Sequence, residues 1–247
     1  MSTVVLEVDR VSKRFGGLRA VDQATFSVQA NEILGLIGPN GAGKTTLFNL
    51  ITGMLQADSG QLRFLGQDIR SLRPDQRCKL GIARTFQITK PFVKLSLLEN
   101  VLVGAQFGST TRRSAAEAEA HARRLLDRVG LGRRQAALAA TLSVGDRKRL
   151  ELARALATEP SLLLLDEVLG GLNTGETRSI MEIIREIRLQ GVTIILIEHV
   201  MHAVMSVSDR IIVLHNGVII AGGTPQEVVT DQAVIDAYLG GSLRATG

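Results

Sequence analysis

Apolar residues along the first third of the chain come in short alternating or continuous runs. Residues 2–15 (STVVLEVDRVSKRF) and 22–38 (DQATFSVQANEILGLIG) are rich in Val, Phe and Ile and are cut by polar turns, which predicts strands. The stretch KTTLFNLITGML, starting at Lys44, spaces its apolar residues as a helix does, and GQLRFLGQDI returns to strand. From about residue 91 to 140 the character changes. RRSAAEAEAHARRLLDRVGL is rich in Ala, Arg and Glu, good helix formers, so this part reads as a helical insertion. Residues 109–120 are polar and Ala-rich enough to be expected mobile.

Strand and helix then alternate. SLLLLDE is a continuously apolar strand, residues 174–190 form a helix closed by Gly191, VTIILIEH is a second buried strand, and a short helix follows. Apolar strands alternating with helices imply a parallel sheet covered on both faces. RIIVLHNGVIIAGG predicts a hairpin through Asn216 and Gly217, a pair suited to a type I′ turn. TPQE, residues 224–227, predicts a capping box with proline at the first helical position. The fold class is therefore α/β, without internal repeats.

Composition narrows the function classes. The 247 residues are 45% hydrophobic and 21% charged, which excludes general disorder and gives enough chain for a substantial core. Aromatics make up 3%, with no Trp, which argues against stacking platforms for single-stranded nucleic acid. The net charge of +5 suits an anionic ligand. The single Cys78 supports neither an internal disulfide nor a structural zinc site, and a cytoplasmic setting is expected. The opening MSTVVLEVDR carries acids and no apolar core, so it is not read as a signal peptide. No apolar run approaches the 18 residues of a membrane span.

Candidate chemistry is concentrated in two motifs. GLIGPNGAGKTT holds Gly38, Pro39, Asn40, Gly41, Ala42, Gly43, Lys44, Thr45 and Thr46. Gly38 to Thr45 match the phosphate-loop pattern, set between an apolar strand and a helix. Its backbone N–H groups would point inward at phosphates, Lys44 would reach the β- and γ-phosphates, and the Thr45 hydroxyl would ligate Mg²⁺. SLLLLDEV delivers Asp166 and Glu167 at the carboxyl end of a buried strand, where open α/β sheets bind ligands. Asp166 would hold Mg²⁺ and Glu167 would polarise an attacking water.

The order of phosphate loop, helical insertion, LSVGD, LLLLDE and a later His resembles the ATP-binding subunits of ABC transporters over essentially the whole chain. The resemblance implies a RecA-like core with an antiparallel β subdomain and an inserted helical subdomain. In that division 1–90 and 159–247 form the core, and about 91–158 the helical part. By resemblance Phe15 stacks on adenine and Gln87 senses Mg²⁺ and the attacking water. Gly171, Leu172 and Asn173 form the loop crossing a dimer interface, with Asn173 where many relatives carry Asp. His199 contacts the γ-phosphate. Leu142, Ser143, Val144, Gly145 and Asp146 stand where the family has Leu-Ser-Gly-Gly-Gln. This helix start, through Ser143 and Gly145, would cap the γ-phosphate held by a second subunit, head to tail. Ser143 followed by Asp146 also fits a plain capping box in which the acid bonds back to the Ser143 N–H. A carboxylate at 146 beside a triphosphate is expected to weaken closure unless something compensates.

Within the family, ARTFQITKPFVKLSLLENVLVG, RKRLELARALATEPSLLLLDEVLGGLN and GTPQEVVTDQAVIDAYLG look like the branched-chain amino acid and amide uptake group. That resemblance implies ATP and Mg²⁺ as ligands and transmembrane permease subunits and a second ATP-binding subunit as partners. It also implies an indirect link to an extracytoplasmic binding protein, and a peripheral place on the cytoplasmic face of the membrane. No nucleic-acid partner is expected. The rival readings are the motor of a lipid or lipopolysaccharide exporter, and an ABC protein acting on nucleic acid or ribosomes. Those latter proteins carry paired cassettes or a long coiled coil, and this chain has neither.

Overall fold

The structure is a computed structural model that describes residues 3–86, 91–108, 110 and 113–243. The chain begins with β1 (Val4–Phe15), β2 (Leu18–Gln29), β3 (Ile33–Ile37), α1 (Lys44–Thr52), β4 (Ser59–Phe64) and β5 (Gln67–Asp68). The middle holds α2 (Pro74–Leu80), β6 (Ile82–Arg84), α3 (Leu97–Phe107), α4 (Ala115–Arg128), α5 (Val144–Leu156), β7 (Leu162–Asp166) and α6 (Thr174–Leu189). Short 3₁₀ turns at Gly132–Arg134 and Ala139–Thr141 lead into α5. The chain ends with β8 (Thr193–Ile197), α7 (Met201–Val207), β9 (Arg210–His215), β10 (Val218–Gly223), α8 (Pro225–Thr230) and α9 (Gln232–Leu243). The architecture is α/β, as the alternation of elements predicts.

Two compact units emerge, residues 1–73 with 193–247 and residues 74–192. In the first unit, β2, β1, β4 and β5 form an antiparallel sheet. Beside it β3 runs parallel to both β8 and β9, and β10 closes antiparallel on β9. Every residue of β3 and β8 is buried, which is why these strands read as apolar runs rather than alternating ones. The β9–β10 turn carries positive φ at Asn216 (49°) and Gly217 (81°), the backbone that a type I′ hairpin demands. α8 starts on a full Thr224–Glu227 capping box with Pro225 at its head, as TPQE predicts.

In the second unit β6 and β7 pair in parallel, Ile82 opposite Leu162. All five residues of β7 are buried. The helices α3, α4 and α5 pack through residues such as Val101, Ala105, Ala122, Leu126, Leu150 and Ala153. The stretch from 91 to 140 holds α3 and α4, helical as its composition predicts. The expected mobility of 109–120 does not hold for its second half, which is the start of α4. A complete Ser114–Glu117 capping box fixes that helix, and polar Ala- and Glu-rich sequence is itself good helix sequence. Residues 109, 111 and 112 lie outside the described residues.

Candidate functional site

The phosphate loop leaves the buried end of β3 at Gly38 and closes at Gly43, the residue before α1. Gly38 has φ 150° and Gly43 φ 105°. A Cβ at Gly38 would sit 2.0 Å from the Leu214 carbonyl oxygen, and one at Gly43 2.2 Å from that of Ala20, so only glycine fits either position. The loop is braced from outside: the Gly217 N–H of the β9–β10 turn donates to the Ala42 carbonyl at 2.9 Å. Gly38 is approached from the far end of the chain as well. Burial raises the Tyr238 phenol pKa on α9, while the Gly38 N–H opposes that shift.

No side chain caps α1, and no acid stands in its first turn. The helix dipole favours an anion at such a start. Lys44 is buried, its Nζ donating to the Gly38 carbonyl at 2.7 Å and the Pro39 carbonyl at 2.9 Å. The ammonium thus lies within the loop, where a phosphate oxygen would meet it. Thr45 is exposed beside it. Phe15 ends β1 with its side chain 47% exposed and the Lys13 ammonium 5.7 Å from the ring centre, which is available surface rather than core. His199 follows β8 and is exposed.

In the second unit a separate group of polar residues is built on β7. Asp166 is 1% exposed. Its Oδ2 receives Arg84 Nη2 at 2.6 Å, and its N–H donates to the Thr85 hydroxyl at 3.1 Å. Oδ1 has no hydrogen-bond partner among the described residues, so one lone-pair edge of a buried carboxylate remains for a cation or its water. Glu167 has φ 49°, a left-handed backbone that costs a non-glycine residue about 1–3 kcal/mol and recurs at functional sites. The Lys148 ammonium, buried on α5, donates to the Glu167 carbonyl at 2.9 Å. Further along α5, Glu151 accepts the Phe86 N–H at 2.5 Å. Burial pushes its carboxyl up to about 7, against the opposing pull of that N–H, Lys148 and Arg154. Gln87, the expected water sensor, lies outside the described residues, as does Lys90.

The LSVGD stretch opens α5. Ser143 is the N-cap, exposed, its hydroxyl accepting from the Asp146 N–H at 3.2 Å. Gly145 is buried, and a Cβ there would lie 2.4 Å from Glu176 Oε1. That glutamate belongs to the Asn173–Glu176 capping box of α6, so Asn173 caps as an aspartate would. The expected bond from Asp146 back to the Ser143 N–H is not made. Its Oδ2 is held by the Arg134 guanidinium instead, Nη1 donating at 2.5 Å.

Sequence reasoning missed Arg84, Arg134, Lys148 and Glu151. Lys148 and Glu151 left a faint signal, charges on a helix that must bury a face. Arg84 left none, because its partner is 82 residues away, and Arg134 lies before the helix start in no recognised pattern with Asp146. Among the described residues no cluster of three or more His, Cys, Asp or Glu forms a cage for a metal ion. Thr45 in the first unit carries a hydroxyl and Asp166 in the second a buried carboxylate, each of a type that binds Mg²⁺.

Comparison with known proteins identifies the family. The ABC transporter family model matches residues 21–170, and that of the branched-chain amino acid ATP-binding cassette transporters matches 218–243. The chain is 40% identical to the high-affinity branched-chain amino acid transport ATP-binding protein LivG of Salmonella typhimurium, over 97% of this chain and 99% of that one. Identity and coverage are the same for BraF of Pseudomonas aeruginosa. The ADP conformation of MJ1267, an ATP-binding cassette of an ABC transporter, superposes with TM-score 0.88 at 33% identity, covering 96% of this chain and 99% of that one. The phosphate loop, the carboxylates of β7 and the capped start of α5 thus stand in a chain that belongs to the ATP-binding subunits of the ABC transporter family, most like those of the branched-chain amino acid group.

Proposed function

We propose that the chain is the ATP-hydrolysing subunit of an importer for branched-chain or related amino acids. The observation that carries the cargo class is the match at residues 218–243 to the branched-chain family model, on top of near full-length identity to LivG. Lys44 and the N–H groups of the loop hold the phosphates, Thr45 and Asp166 hold Mg²⁺, and Phe15 carries the adenine. Glu167 takes the proton of the attacking water. Gln87 and His199 attend the water and the γ-phosphate. A second ATP-binding subunit supplies its Ser143 and Gly145 to that phosphate, so ATP joins the two subunits and hydrolysis releases them.

No helix among the described residues is long and apolar enough to cross a membrane. In this proposal, which rests on the likeness to transport ATP-binding proteins, the chain acts through permease subunits on the cytoplasmic face. The segment 87–103 is the proposed contact. Its described part exposes Phe92, Val93 and Lys94, with Phe86 exposed just before it, a surface the nucleotide chemistry does not use. Reconstitution with the permease and a binding protein tests the proposal. Leucine-loaded binding protein should stimulate ATP hydrolysis, while stimulation only by an unrelated solute would overturn the cargo class.

A further inference from the structure

Among the described residues five helix starts share one spacing, a hydroxyl or amide N-cap with an acid three residues on. At Ser96, Ser114 and Thr224 the acid is glutamate and the box is complete. In each of these the hydroxyl also spends its own proton on the glutamate, at 2.7, 2.8 and 2.9 Å. The fourth, Asn173, is completed by Glu176. The fifth, Ser143, is different. Its hydroxyl accepts from the Asp146 N–H, but among the described residues nothing takes its proton. The acid that would take it is turned to Arg134, with side chains 44% exposed for the arginine and 25% for the aspartate.

We propose that Arg134 is a positioning residue for ATP-driven closure. It holds the Asp146 carboxylate away from Ser143, so the Ser143 proton stays free for a phosphate oxygen, and it neutralises an acid that would otherwise repel that phosphate. This rests on the proposed role of Ser143 toward a second subunit's nucleotide. A hydroxyl can accept one hydrogen bond and donate another, so the cap and the phosphate contact coexist only while no local acceptor claims the proton. The N-terminus of α5 favours anions in general, and an unpaired Asp146 would occupy that favourable field itself.

Stability and function should then separate. A partly exposed ion pair contributes little to folding. If Arg134 is removed, Asp146 is free to turn back to Ser143, and the helix cap offsets part of even that loss. In the assembled transporter, Arg134→Gln should leave the melting temperature within about 2 °C and raise the ATP concentration for half-maximal hydrolysis about tenfold. That defect should shrink as salt is raised, since charge repulsion is screened. Arg134→Lys should retain most of the function. Adding Asp146→Ala to Arg134→Gln should restore ATP dependence, because it removes both the charge and the competing acceptor. Unchanged ATP dependence in Arg134→Gln, or failure of Asp146→Ala to rescue it, overturns the proposal. Ser143→Ala separates the two levels. If it impairs closure while Arg134→Gln does not, only the role of Arg134 is lost. If Ser143→Ala leaves closure intact, the shared-site reading itself falls.

Discussion

Helix α1 begins after Gly43, a left-handed residue with no side chain to cap it, whereas α5 begins at Ser143, whose hydroxyl takes the Asp146 N–H. Both starts are read as phosphate contacts, yet they are made differently. The first offers backbone donors and a buried lysine, fixed by glycines that no other residue could replace. The second has already satisfied part of its own backbone and offers a side-chain proton. In the proposed function the first start holds the chain's own nucleotide and the second adds to a phosphate that another chain holds, so one chain carries two such starts for one nucleotide.

The largest expected effect lies at the carboxylates that act on the nucleotide. Glu167→Gln should keep ATP binding and slow hydrolysis by about 10²–10⁴-fold, measured as phosphate release by the assembled transporter. Unchanged turnover would move the base elsewhere. Arg84→Ala removes the partner of a buried aspartate and should cost about 3–5 kcal/mol of folding stability, read by urea unfolding. A cost under about 1 kcal/mol would mean that Asp166 is not held as a buried ion. On the other side of the comparison, Lys44→Ala should weaken ATP binding by about 100-fold, the loss of a charge-assisted contact to phosphate. Equilibrium binding to the isolated chain measures this, and unaltered affinity would remove the distinction between the two helix starts.

The smallest expected effect is a pH dependence. The Glu151 carboxyl is raised to about 7 by burial, above its unfolded value. Between about pH 4.5 and 7 the native state therefore holds more protons on this group than the unfolded state does. Its contribution to stability is complete below pH 4.5 and lost as pH rises through 7. Glu151→Gln keeps an acceptor for the Phe86 N–H and should flatten the loss between pH 5 and 7.5 by about 1–2 kcal/mol. Parallel pH profiles for the two chains would contradict that account.

Legibility in the sequence followed the range of the interactions. The phosphate loop, the Asp166–Glu167 pair, the Asn216–Gly217 turn and the Thr224 cap were all readable because their physics is local. Glycine spacing, an apolar run and a three-residue cap each lie within a dozen neighbours. Arg84 and Asp166 are far apart in sequence, and nothing in IARTF distinguishes an arginine bound for a buried carboxylate. Asp146 was the instructive case. Its spacing from Ser143 pointed to a closed box, and local geometry alone supports that. A residue before the helix, Arg134, decided otherwise, and no short-range pattern carries that choice. The same limit applied to 109–120, where polar composition suggested mobility and a complete cap at Ser114 sets the start of α4.

The central claim is that Lys44 serves the chain's own nucleotide and Ser143 serves another chain's. Measuring ATP affinity of the isolated chain, and then ATP-driven hydrolysis in the assembled transporter, for Lys44→Ala and Ser143→Ala tests it most directly. The account predicts that Lys44→Ala fails both measurements, while Ser143→Ala binds ATP as the parent chain does and fails only in the assembly. Loss of ATP binding by isolated Ser143→Ala, or full hydrolysis by its assembly, would contradict the account.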